Sequence, residues 1–104
     1  MATTAIEIPE EELAAFCRKW KIREVSLFGS VLRDDFGPDS DVDVMVRFEP
    51  GTAFSLLDMV DAELELARIV GRPVDLLERS AVESSENWIR RRRILESART
   101  IYAR

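Results

Sequence analysis

The sequence predicts an α/β (α+β) fold in which helices pack against a small mixed β-sheet. Three short stretches rich in valine, leucine and phenylalanine have the length and composition of strands. Between and around them, apolar residues recur every three or four positions, as they do on one face of an amphipathic helix. The sequence contains no internal repeat, low-complexity tract or linker, so residues 1–104 are expected to form a single domain.

The first two predicted elements are a helix and a strand. Pro9 and the three glutamates after it suit a first helical turn, because acidic side chains favour the positive end of the helix dipole. Apolar side chains then follow at the spacing of one helix face: Leu13, Phe16, Cys17 and Trp20. We therefore expect Cys17 and Trp20 to pack in the core. Residues 24–28 are expected to form a strand that Gly29 and Ser30 end.

A second strand is predicted over residues 42–48, after a loop marked by Gly37 and Pro38. Thr52 or Ser55 is then expected to cap a helix that runs from about residue 54 to residue 70. The helix periodicity predicts one buried seam along it, made by Leu57, Val60, Leu64 and Ala67 and widened by Leu56 and Val70.

A third strand, a last helical region and an ambiguous end complete the chain. Residues 73–77 form a short apolar run with one acid inside it. Ser80 and Glu83 have the spacing of a capping box and are expected to start a helical region that runs toward Ala98. Residues 100–102 fit either a last helical turn or a short edge strand.

Composition excludes several classes of protein. The sequence has no histidine, which rules out serine–histidine–aspartate and cysteine–histidine hydrolysis and most zinc sites. A single cysteine, Cys17, cannot form an internal disulfide, so a cytoplasmic location is expected. No secretory signal or membrane-spanning run is expected. The net charge of −5 argues against direct DNA binding, because such affinity depends on neutralising phosphates.

Two aspartates at alternate positions, Asp41 and Asp43, are the main functional signal. Side chains at i and i+2 of a strand point to the same face, so these carboxylates repel each other within an apolar run. A divalent cation relieves that repulsion, and carboxylate oxygens suit Mg²⁺. Gly29 and Ser30 end the preceding strand, where backbone N–H groups can bind a phosphate. A metal site beside a phosphate site predicts phosphoryl or nucleotidyl transfer.

Asp75, in the third predicted strand, is the candidate third carboxylate. If its strand lies beside that of Asp41 and Asp43, a ladder spacing of about 4.8 Å brings it within reach of them. Three carboxylates can hold two Mg²⁺ ions about 3.5–4 Å apart, as phosphoryl-transfer sites do. The alternative is that Asp75 is simply a solvated residue of a strand end.

The segment GSVLRDDFGPDSDVDVMV resembles the GS-x(10)-DxD signature of the DNA polymerase β-like nucleotidyltransferases. The chain is most similar to the minimal nucleotidyltransferases (MNT), small proteins that accompany HEPN-domain toxins, and the similarity covers nearly its whole length. The resemblance implies the polymerase β-like palm fold. It implies that Gly29 lets the backbone approach the triphosphate, that Ser30 hydrogen-bonds a phosphate, and that Arg33 offsets phosphate charge. It also implies that Asp41 and Asp43 ligate both metals, while Asp75 ligates one and helps to deprotonate the acceptor.

The same resemblance implies an antitoxin that transfers AMP from ATP, with Mg²⁺, to a hydroxyl of a cognate HEPN toxin. A tyrosine is the expected acceptor, and a hetero-oligomer with the toxin is the expected assembly. Because the chain is short, we expect the partner to provide the surface that carries the acceptor. Two alternatives remain open: a binding protein that neutralises its partner by occlusion, and a transferase acting on a small molecule or RNA between subunits of an oligomer.

Two charged segments are not explained by the motif. Leu32-Arg33-Asp34 stands where the family has Ala-Arg-Gly, so Asp34 and Asp35 add negative charge near the expected phosphate site. Arg90 to Arg93 point in all directions around a helix, at about 100° per residue. A solvated helix end is the expected role of these arginines, and contact with an acidic partner or a nucleotide phosphate is the alternative.

Overall fold

The fold is a four-stranded mixed sheet with helices on both faces, as the sequence predicts. The computed structural model describes residues 8–29 and 41–103. Its elements in chain order are α1 (Glu10–Trp20), β1 (Ile22–Phe28), β2 (Val42–Phe48), α2 (Leu56–Val70), β3 (Val74–Glu78), α3 (Arg79–Glu83), α4 (Trp88–Ser97) and β4 (Arg99–Ala103). The strand order is β3-β2-β1-β4. β2 pairs in parallel with β3, whereas β1 is antiparallel to both β2 and β4. None of the described helices is both long and apolar enough to cross a bilayer.

One face of the sheet, here called the packed face, is covered by α1 and α2. Alternate side chains of the strands point to this face and are almost completely buried, including Val42, Val44 and Val46 of β2. From α1, Leu13, Phe16 and Cys17 complete this core. The predictions that Cys17 is a core residue and that Trp20 packs beside it are therefore confirmed.

The predicted buried seam of α2 is wrong for most of its residues. The helix buries Ala62 and Leu66, with Met59 and Ile69 packed beside them. Four residues of the predicted seam lie exposed on the other side: Leu56 (81%), Leu57 (75%), Val60 (44%) and Leu64 (57%). Only Ala67 and Val70 of that seam pack against the core. Apolar side chains occur on both sides of α2, so their periodicity alone does not decide which side faces the sheet.

Two sets of hydrogen bonds set the start and the rotation of α2. Ser55 and Asp58 form a capping box, in which each side chain accepts a hydrogen bond from the other residue's backbone N–H (3.1 and 3.0 Å). The Glu63 carboxylate accepts a hydrogen bond from the Leu76 backbone N–H at 2.9 Å. β3 is an edge strand, so this bond pairs a backbone group at the edge of the sheet and places the Glu63 side of α2 against β3.

The last helical region differs from the prediction because it consists of two helices. α3 begins at Arg79, and Ser80 lies inside it instead of capping it. α4 has its own cap, since Asn87 Oδ1 accepts a hydrogen bond from the Arg90 backbone N–H at 3.1 Å. After α4, the ambiguous residues 100–102 belong to the edge strand β4. β4 pairs with β1. The chain therefore passes from α4 directly into a strand of the sheet.

The other face of the sheet, here called the aspartate face, is covered in part by α3 and α4. Its smaller core joins Phe28 and Met45 of the strands to Val82 of α3 and Ile94 of α4. An ion pair of 3.0 Å between Arg79 and Glu24 also ties the start of α3 to β1. Asp43 and Asp75 alternate with the valines and leucines of the packed face, and this alternation brings them to the aspartate face.

Candidate active site

Asp43 and Asp75 meet because β2 and β3 pair in parallel. The two residues are register partners, so adjacent strands about 4.8 Å apart carry the two carboxylates side by side. Phe28, the last residue of β1, is the partner of Asp43 on the other side. The end of β1 and the beginnings of β2 and β3 thus lie together at one end of the sheet. The sequence predicted that Asp75 comes within reach of Asp43 if their strands are neighbours, and they are.

Gly29 lies directly against the Asp43 carboxylate. Its φ of +75° falls in the left-handed region that side chains with a Cβ rarely adopt. A Cβ at this position would overlap Asp43 Oδ2 and lie only 3.2 Å from its Cγ. Glycine therefore allows a close approach that any other residue would prevent.

A pocket of about 250 Å³ opens at these residues. Phe28, Gly29, Asp43 and Asp75 form its sheet side, and Arg90, Arg93, Ile94 and Ser97 form its α4 side. Asp75 is exposed and Asp43 is half-buried, so solutes can reach both carboxylates. The pocket combines two acids from the strands with two bases from the helix.

The predicted metal ligands are only partly brought together. Asp41 is exposed, lies immediately before β2 and does not line this pocket. Within residues 8–29 and 41–103, no three acidic or cysteine side chains are grouped closely enough to hold a metal ion. Ser30, Arg33, Asp34 and Asp35 lie outside the described residues. The structure thus places Gly29, Asp43 and Asp75 at one site and leaves the roles of Asp41, Ser30 and Arg33 as predictions.

Magnesium fits the donor set of this pocket. Asp43 and Asp75 provide carboxylate oxygens, the ligands that Mg²⁺ prefers, at neighbouring positions of two adjacent strands. No histidine or cysteine lines the pocket, so softer metals have no preferred ligand there.

The arginine run of α4 separates into two groups. Arg91 donates a hydrogen bond to the Ser85 carbonyl at 2.8 Å, and Arg92 pairs with Glu96 at 2.9 Å on the solvent side. Arg90 and Arg93 instead line the pocket of the aspartates. The predicted role as a solvated helix end describes Arg92. Arg90 and Arg93 are also exposed, but they line the pocket, as the alternative prediction of a phosphate contact requires. Their separation of three residues, continued by Ser97, was the available signal that they share a helix face.

Comparisons with known proteins agree with this geometry. Residues 10–101 match the family described as nucleotidyltransferase domain. The chain is 35% identical over 88 residues to the protein adenylyltransferase MntA of Thermococcus cleftensis, a match that covers 81% of this chain and 87% of that protein.

Two solved structures are similar in fold. One, a putative minimal nucleotidyltransferase, is 31% identical with a TM-score of 0.63, over 86% of this chain and 85% of that one. The other is a complex of the MNT antitoxin with the tri-AMPylated HEPN toxin of Shewanella oneidensis. It has a TM-score of 0.61 at 18% identity, over 91% of this chain and 70% of that one, which shows the fold alone. The chain belongs to the nucleotidyltransferase-domain family, as one of its minimal nucleotidyltransferases.

Proposed function

We propose that this protein is an Mg²⁺-dependent adenylyltransferase that moves AMP from ATP to a tyrosine hydroxyl of a HEPN toxin and thereby acts as its antitoxin. The observation that carries the proposal is the pairing of Asp43 with Asp75 beside Gly29 in one open pocket. The name of the Thermococcus relative, a protein adenylyltransferase, supports the reaction. The AMP-bearing toxin held by the Shewanella MNT antitoxin supports the kind of partner.

In this proposal, Asp43 and Asp75 hold Mg²⁺ and Asp41 adds a further carboxylate from the residue before β2. Bound Mg²⁺ would offset phosphate charge and polarise the phosphoryl oxygens. Gly29 lets the backbone approach the triphosphate because no Cβ fills the space beside Asp43. Ser30 and Arg33 are proposed to contact phosphate oxygens. These tasks are positioning and electrostatic stabilisation, the main contributions to rate in phosphoryl transfer.

The proposed reaction breaks one bond of ATP and forms one bond to the acceptor. The tyrosine oxygen attacks the α-phosphorus, the bond from that phosphorus to the bridging oxygen breaks, and pyrophosphate leaves. The Asp75 carboxylate takes the proton of the hydroxyl. Asp75 suits this role because it is the more exposed of the paired aspartates and so lies where an acceptor can arrive. The reaction is proposed to take place in the cytoplasm, within a hetero-oligomer and without direct DNA contact.

A second candidate function is neutralisation of the toxin by occlusion. One observation favours it: Leu56, Leu57, Val60 and Leu64 form an exposed apolar stripe on α2, on the side away from the aspartates. Exposed apolar surface of this kind is typical of protein interfaces. Occlusion through α2 would not require nucleotide.

The mass of a cognate HEPN toxin after incubation with the protein, ATP and Mg²⁺ separates the two functions. The parent is expected to add AMP to the toxin, and Asp43→Asn is expected to bind the toxin but leave its mass unchanged. Asp61→Asn, the same substitution at an exposed position of α2, is the matched control and should transfer AMP. If Asp43→Asn and Asp41→Asn both protect cells as well as the parent at equal protein levels, occlusion replaces catalysis.

A further inference from the structure

The α4 side of the active-site pocket carries two arginines that face two acids. Arg90 and Arg93 line the same pocket as Asp43 and Asp75. Within residues 8–29 and 41–103, neither guanidinium forms an ion pair, whereas Arg79 and Arg92 each pair with a glutamate. Arg90 and Arg93 are exposed, so both are accessible to a ligand in the pocket.

Contacts at several points fix α4, the helix that carries these arginines. Ile94, 7% exposed, follows Arg93 directly and packs with Phe28 and Met45 in the core of the aspartate face. Asn87 caps the beginning of α4, and β4 pairs with β1 immediately after its end. The helix therefore has a defined rotation, and residues three apart lie on one of its faces, about 5–6 Å between Cβ atoms.

The charges of the pocket indicate what these arginines bind. The sheet side carries two carboxylates, which suit a cation, whereas the helix side carries two guanidinium groups, which suit an anion. A metal–nucleotide complex presents both, because its metal carries positive charge and its outer phosphates carry negative charge. Guanidinium groups match phosphate oxygens in geometry as well as charge, and their hydrogen bonds to ionised oxygens are among the stronger ones in proteins.

We propose that Arg90 and Arg93 bind the β- and γ-phosphates of ATP, so that the nucleotide lies between α4 and the end of the sheet that carries Asp43 and Asp75. The inference rests on the proposed function, since it assigns two further phosphate-binding residues to that site. The same two arginines would offset the charge that develops on pyrophosphate when its bond to the α-phosphorus breaks. Residues from the end of the chain thereby complete a site whose acids come from the strands.

Nucleotide binding without any toxin tests the inference directly. Isothermal titration with Mg²⁺-ATP and with Mg²⁺-AMP compares the parent, Arg90→Gln/Arg93→Gln and the control Arg92→Gln. The double variant should bind ATP at least about tenfold more weakly, since each charge-assisted hydrogen bond accounts for roughly that factor. AMP affinity should change much less, because AMP lacks the outer phosphates. Arg92→Gln should bind like the parent, because Arg92 points to solvent and pairs with Glu96.

Two results would overturn the inference: an unchanged ATP affinity in the folded double variant, or equal losses for ATP and AMP. Circular dichroism checks the fold, and the single variants Arg90→Gln and Arg93→Gln take over the test if the double variant unfolds. A parent that binds Mg²⁺-ATP but adds no AMP to the toxin contradicts the proposed function only, because the arginines are judged by affinity. A parent that does not bind Mg²⁺-ATP overturns both.

Discussion

The two faces of the sheet are built from alternate residues of the same strands, yet one face forms the main core and the other carries the pocket. In β2, Val42, Val44 and Val46 are at most 1% exposed against α1 and α2. On the aspartate face, Met45 is equally buried, but Asp43 beside it opens into a pocket. A single strand thus anchors the core with one set of side chains and presents a reactive group with the other, so the position of Asp43 depends on the packing behind it.

The helices on the two faces differ in the same way. α2 presents the small and apolar residues Ala62 and Leu66 to the packed face. α4 presents one buried apolar residue, Ile94, with Arg90 and Arg93 next to it on the pocket side. The packed face is expected to determine stability, and the aspartate face is expected to determine nucleotide binding. The following variants separate these two properties.

The largest expected effect is on stability at the packed face. Leu66→Ala should lower the free energy of unfolding by about 2–5 kcal/mol, because it leaves a cavity in a closely packed core. Leu57→Ala, the same change on the exposed side of α2, should cost less than about 0.5 kcal/mol. Urea denaturation measures both. A loss for Leu57→Ala as large as that for Leu66→Ala would contradict this orientation of α2, and a larger one would favour the seam predicted from the sequence.

A smaller effect on stability but a large one on nucleotide binding is expected at Gly29. Gly29→Ala and Gly51→Ala share the backbone penalty of a positive φ, about 1–2 kcal/mol, because φ is +75° and +80°. Only at Gly29 does the added Cβ meet Asp43, whereas nothing lies within 4 Å at Gly51. Gly29→Ala should therefore lose more stability than Gly51→Ala, because the Asp43 carboxylate must also move, and only Gly29→Ala should lose affinity for Mg²⁺-ATP.

Melting curves and ATP titrations of these two glycine variants give the comparison. If Gly29→Ala binds Mg²⁺-ATP as well as Gly51→Ala does, the space beside Asp43 is not needed for the nucleotide.

The sequence predicted the aspartate face better in its strands than in its helices. Alternation within a strand leaves only two directions for a side chain, so Asp43 and Asp75 were expected to meet on the condition that their strands are neighbours, and the strand order meets that condition. Gly29 could be chosen because a glycine at the end of a strand indicates a close backbone approach. The resemblance to the nucleotidyltransferases added to these local rules, and the family match over residues 10–101 confirms that resemblance.

Helix rotation was the part that the sequence did not determine. Leu57 and Leu66 are nine residues apart, about two and a half turns, so they lie on opposite sides of α2. Both are leucines, and only contacts such as that of Glu63 with the Leu76 N–H distinguish the two sides. The sequence did not single out Arg90 and Arg93 within the arginine run for the same reason, since their direction depends on how Ile94 docks onto Phe28 and Met45.

Thermal unfolding shows whether Asp43 and Asp75 form a metal–nucleotide site. The melting temperature is measured with ATP at saturation, in Mg²⁺ and in EDTA, for the parent, Asp43→Asn and the surface control Asp61→Asn. Ligand at about 100 times its Kd adds roughly 2.7 kcal/mol to folded-state stability, which raises the melting temperature by several degrees. The parent and Asp61→Asn should show this rise only with Mg²⁺, and Asp43→Asn should show little or none. Identical melting curves of the parent in Mg²⁺-ATP and in EDTA would mean that Asp43 and Asp75 do not form such a site.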